Sequence, residues 1–197
     1  MSGHTNYGRG FRKAEVLVAD LASPLGLEAA LFSAVLPRLL DSLLHIAGVI
    51  DFSLAAELAA GKIREQVNVN MVAPMILTCA LLPALRRARG LVLIANSTAT
   101  LSADAAARSA YVASKSGVRG FADVLRLEES SHGVRVTTLF PGRTDTPMQK
   151  RVHEHERKAY DAAQMMLPDT VALSILHVVD LPADATIHDF TIRPASP

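Results

Sequence analysis

The chain has 197 residues, half of them hydrophobic, and 20 Lys and Arg against 19 Asp and Glu leave a formal net charge of +1. That length suits about one domain with a sizeable core, and a balanced charge with no basic stripe among aromatics argues against a nucleic-acid face. The single cysteine, Cys79, has no partner for an internal disulfide and sits in an apolar helical run, which reads as a core residue of a cytosolic chain.

The first residues lack an apolar signal core, and the longest uncharged apolar stretch, 71–85, is short for a membrane span and carries two prolines. A soluble, cytoplasmic protein with no membrane partner is expected. Residues 1–14 are Gly-rich and polar and read as a loose arm. Gly8 and Gly10 invite comparison with a phosphate loop, but no strand precedes them and Lys13 stands where the third glycine belongs.

Residues 15–19 read as a short buried strand ended by Asp20 and Leu21, and Ser23 and Pro24 open a helix to about residue 36. A second apolar strand, 42–48, closes on Gly48, where backbone can approach a ligand. A short helical piece at 54–60 and a long helix at 63–86 follow. Pro74 has no N–H to offer the carbonyl of Asn70, so that carbonyl is free either to hold an ordered water or simply to mark a kink.

A third strand, 91–95, delivers Asn96, Ser97 and Thr98 at its carboxyl end, where an open parallel sheet binds ligands. Ser97 lacks the flanking glycines of a nucleophile elbow. A helix to about residue 131 carries Tyr111 and Lys115 one turn apart on one face. Taken alone, such a pair is more often a packed Tyr beside a solvated Lys than an acid–base phenol with a neighbouring cation that favours the phenolate. A fourth strand, 134–140, ends in a second ligand-type tip, 141–147. A polar helix or flap through 166, a helix at 169–179 and a last strand at 186–192 complete the chain. His153, Glu154, His155 and Glu156 are metal-ligand types, but beside Arg151, Arg157 and Lys158 they read as a solvated charged face, and no metal site is expected.

Strands alternating with helices predict one α/β domain over 15–197. With these residues in place the chain resembles the short-chain dehydrogenase/reductase family: Asp20-Leu21, Ala47-Gly48, Asn70, Ser97, Tyr111 with Lys115, and Pro141-Gly142 with Thr144 and Thr146 occur in the family's order. Among its members it resembles small bacterial oxidoreductases. The resemblance implies a Rossmann-like, mostly parallel sheet flanked by helices, and hydride transfer between NADP or NAD and a small carbonyl or alcohol substrate. It implies that Tyr111 exchanges the proton, Ser97 binds the substrate oxygen, Lys115 lowers the phenol pKa and holds the nicotinamide ribose, and Asn70 holds a water. Asp20 and Leu21 would meet the adenine, Ala47 and Gly48 would line the cofactor, and Pro141, Gly142, Thr144 and Thr146 would border the nicotinamide.

Two departures stand beside it. The family's opening strand, Gly-rich loop, helix and second strand have no counterpart before residue 15, so the fold is expected to be incomplete at its N-terminus, with weak dinucleotide binding. Ile46 stands where an asparagine is usual. The second reading is therefore a non-catalytic remnant or interaction protein that keeps the family fold. Family members commonly dimerise through the helices carrying Asn70 and Tyr111, and the stripe Ala113, Gly117, Gly120 and Val124 suits that packing, so a homo-oligomer is expected.

Overall fold

The computed structural model describes residues 15–102 and 106–195. The arm at 1–14, with Gly8, Gly10 and Lys13, lies outside the described residues. Four parallel strands form one sheet in the order β1 (Ser42–His45), β2 (Leu91–Ala95), β3 (Arg135–Pro141), β4 (Asp189–Ile192). Six α-helices cover it: α1 (Pro24–Ser33), α2 (Ala60–Val67), α3 (Ala73–Ala88), α4 (Ser109–Glu129), α5 (Pro147–Glu156) and α6 (Pro168–Val179).

The run of apolar residues in β2 explains the layering. Successive side chains of a strand point to opposite faces, so Val92 and Ile94 pack against Leu85 of α3 and Val118, Ala122 and Leu125 of α4. Leu91 and Leu93 face the other way, onto Leu139 and onto Ile175 and Val178 of α6. A strand buried on both faces reads as continuous hydrophobicity. Parallel neighbours need long crossovers, and α3 and α4 supply them. Arg89 ends α3 in the left-handed region at φ 49°, and Gly90 follows where a Cβ would lie 2.4 Å from the Leu40 carbonyl oxygen. That close approach seats β2 beside β1 in the register Ser42 to Leu91.

The helix expected at 63–86 is longer. α2, a π-helical turn at Asn68–Val72 and α3 run on continuously, so Pro74 widens the helix locally where its missing N–H interrupts the i to i−4 ladder. The 29-residue span Ala60–Ala88 is long and apolar enough to cross a membrane, which the shorter uncharged stretch did not suggest. Asn70 and Thr78 on this helix are nevertheless fully buried against the protein, with Thr78 Oγ1 2.8 Å from His45 Nε2.

Three local expectations fail. Residues 15–19 form no strand, and Val16 and Val18 are 83% and 86% exposed; among the described residues no strand lies beside them to complete a ladder. Residues 55–57 form a turn in place of the helical piece at 54–60. Cys79 is exposed, because Thr78 takes the inward position on that turn of α3. The strands expected at 42–48, 134–140 and 186–192 appear as β1, β3 and β4 with shifted ends.

Candidate active site

The carboxyl ends of β1, β2 and β3 and the start of α4 surround a cleft of about 1170 Å³. Asn96, at the tip of β2, fixes its geometry. Its Nδ2 donates to the Lys115 carbonyl at 2.8 Å and its Oδ1 accepts from the Ser97 N–H at 2.9 Å, so the tip and α4 are tied through one side chain. α4 is amphipathic: Tyr111, Ser114, Lys115, Val118, Ala122 and Leu125 are buried at helical spacing.

Tyr111 and Lys115 both line the cleft, 7% and 4% exposed. Ser97 lines it too, placed so that a hydrogen bond from its hydroxyl favours the ionised phenol. Burial raises the phenol pKa above its ordinary value, opposed by that hydrogen bond and by the positive charge of Arg108. Arg108 also acts on the phenol as a cation, a residue not named from the sequence. Lys115 Nζ donates to the Ala95 carbonyl at 2.7 Å, and burial pushes its ammonium down to about 8.

Asn70 reaches the back of the same region from the π turn. Its Oδ1 accepts from the Val49 N–H at 2.8 Å, and its Nδ2 donates to the Val49 carbonyl at 2.9 Å and to Ser114 Oγ at 3.0 Å. The strand end after β1 is thereby pinned to α4. Gly48 sits in between: a Cβ there would lie 3.4 Å from both Asn70 Oδ1 and Lys115 Nζ. Gly48, Pro141, Gly142, Thr144 and Thr146 all line the cleft.

Asp20, Leu21 and Ala47 do not. Asp20 Oδ1 accepts the Ala22 N–H at 2.9 Å and Leu21 packs on the α1 cluster of Leu27, Leu31 and Ala73. Ala47 is exposed beside the cleft. The run His153 to Glu156 is only half a solvated face: Glu154 and His155 are exposed, but His153 is buried and bonded to Arg143.

α5 closes over the cleft and is fastened by Glu156. That carboxylate pairs with Arg108, with Arg143 at 2.8 Å and with Lys158 at 3.2 Å. Burial opposes its ionisation, but hydrogen bonds from Arg143, Arg108 and Lys158 prevail and hold it at about 2. Phe52 stacks on His155 at 4.7 Å, adding an apolar tie to the loop after β1. Arg108 and Glu156 were missed in the sequence. Arg108 lies three residues before Tyr111, at the N-cap of α4, and that nearness in sequence is the one signal that could have pointed to it.

The profile of the short chain dehydrogenase family matches residues 6–157. The chain belongs to the short chain dehydrogenase family. Among its relatives, the sepiapterin reductase of Chlorobaculum tepidum is 28% identical over 158 residues, 80% of this chain and 62% of that one. This family member therefore spans less than two thirds of the reductase's length. An alcohol dehydrogenase structure from Thermococcus sibiricus, complexed with 5-hydroxy-NADP, superposes with a TM-score of 0.76 at 22% identity over 91% of this chain and 74% of that one. A 4-hydroxyisoleucine dehydrogenase complexed with NADH and succinate gives a TM-score of 0.73 at 22% identity over 89% and 76%. These structures share the family's fold.

Proposed function

We propose that the chain reduces a small carbonyl compound, or oxidises the matching alcohol, with NADP(H) or NAD(H) as hydride partner. The observation that carries this reading is the convergence of Ser97, from the tip of β2, with Tyr111 and Lys115, from the start of α4, on one cleft. A carbonyl oxygen held by both hydroxyls meets a proton donor and a second dipole aimed at its developing charge. Tyr111 gives the proton, and Ser97 holds the oxygen while it is negative. Lys115 and Arg108 supply positive charge around the phenolate left behind.

The nicotinamide end of a dinucleotide fits the residues present. Gly48 leaves room directly over Lys115 Nζ and Asn70 Oδ1, and Tyr111, Lys115, Pro141, Gly142, Thr144 and Thr146 would hold the ribose and ring. When bound, the cofactor supplies or accepts the hydride. Among the described residues the phosphate end meets no Gly-rich helix start. The neighbours complexed with an NADP derivative and with NADH support both cofactors equally.

The alternative, a remnant that keeps the fold for interaction, draws on one observation: β1 is a sheet edge among the described residues, and the apolar Val16, Leu17 and Val18 are exposed. The chain would also self-associate through Ala113, Gly117, Gly120 and Val124, all on the exposed side of α4. A cytoplasmic location accords with this chemistry. NADPH oxidation in the presence of small ketones and aldehydes tests the enzyme reading, and no turnover of any of them favours the alternative.

A further inference from the structure

Two arginines of this chain present the same guanidinium edge to a glutamate and use it differently. Arg86 gives Nε and Nη2 to the two oxygens of Glu129 at 2.8 and 2.7 Å, the paired fork geometry. Arg108 gives only Nη2 to Glu156, and its Nε is buried with no hydrogen-bond partner among the described residues. A buried charged donor without an acceptor is costly, so half of a carboxylate-shaped edge at Arg108 is unmet, its Nε covered by surrounding protein.

That edge belongs to a residue lining the cleft. Arg108 is the N-cap of α4, three residues before Tyr111, and its charge acts on the Tyr111 phenol. The Phe52 ring lies 5.7 Å from the guanidinium carbon and steadies the guanidinium plane. The local charge is unbalanced as well. Arg108, Arg143 and Lys158 share the carboxylate of Glu156, and among the described residues the cleft is also lined by Lys115 and Arg193 against Asp161, so its lining carries excess positive charge.

We infer that Arg108 receives a carboxylate of the substrate side-on through Nε and Nη2, with Glu156 kept by Arg143 and Lys158, so that the preferred substrates are oxo acids or hydroxy acids. The carboxylate lies a few bonds from the reacting carbon, since Arg108 is close enough to Tyr111 for its charge to act on the phenol. This inference rests on the carbonyl-reduction reading of the cleft. Glu156 has two other cations to hold it, so exchange on Arg108 does not strand its charge. A neutral ester of the same compound leaves the Nε donor unmet.

The test is a titration of the ¹⁵N-labelled chain with 4-oxopentanoate and with its methyl ester, following arginine Nε–H resonances by NMR. The Arg108 signal is assigned by its loss in Arg108→Lys. A saturable shift of that signal by the anion, about ten-fold weaker with the ester, and several-fold tighter anion binding in Glu156→Gln are expected. An Arg108 signal moved no more by the anion than by the ester, or equal anion binding by Arg108→Lys, overturns the inference. NADPH oxidation with both compounds separates it from the reading beneath it. Turnover of ester and acid with equal KM removes the carboxylate preference and leaves carbonyl reduction standing, whereas anion binding at Arg108 without turnover of either removes carbonyl reduction.

Discussion

Ser97, at the tip of β2, and Tyr111, in the first turn of α4, line the same cleft, and hydrogen bonding from Ser97 lowers a phenol pKa that burial raises. Ser97→Ala removes both this bond and the second donor to a substrate oxygen. Carbonyl reduction falls about 10²–10³-fold, and the alkaline limb of the pH–rate profile moves up. Unchanged kcat in Ser97→Ala would contradict the arrangement.

Lys115 is held down to about 8 by burial, whereas an unfolded lysine titrates near ~10.4. Between those values the unfolded chain keeps a proton that the folded chain has released, so stability rises with pH across the window. Below about 8 the fold carries the full cost of the buried ammonium, on the order of 3 kcal/mol. Lys115→Met is therefore more stable than the parent near neutral pH and loses the rise above about 8. Urea denaturation at several pH values checks this; a variant with the parent's pH dependence contradicts it.

Glu156 works with the opposite sign. Its carboxyl is held at about 2 against an unfolded value near ~4.3, so its contribution is complete above the unfolded value and is lost as pH falls through the folded one. Glu156→Gln flattens acid unfolding in that window and loosens α5. Circular dichroism during acid titration measures the first, and amide exchange in Pro147–Glu156 the second.

Gly120 offers a clean test of self-association. A Cβ built there meets nothing within 4 Å, so the monomer tolerates a side chain. Gly120→Ala raises the stability of the fold by about 0.5–1 kcal/mol through helix propensity, while Gly120→Leu blocks close helix packing. Light scattering then shows a larger species for the parent and monomer for Gly120→Leu; an unchanged mass in both rules out this face.

How far the sequence could be read depended on whether a residue's environment was local. The apolar run of β2, the helix of Tyr111 and the pairing of strand tips with Asn96, Ser97 and Gly142 followed from periodicity and punctuation, and they hold in the structure. Residues 15–19 have the composition of a strand but none beside them, and a ladder partner is not a property of the segment. Cys79 and Thr78 are adjacent, and which one faces inward depends on helix phase after a π turn that Pro74 induces. The Arg108, Glu156 and Arg143 cluster joins residues up to 48 positions apart, so only the folded chain reveals it.

The most direct test of the account is Tyr111→Phe, assayed by NADPH oxidation with a small ketone at saturating cofactor. Phe keeps the packing and has no proton to give, so turnover falls about 10²–10⁴-fold. Cys79→Ala, altering an exposed residue away from the cleft, leaves it unchanged. A Tyr111→Phe chain that reduces the ketone at the parent's rate would contradict the assignment of Tyr111 as the proton donor.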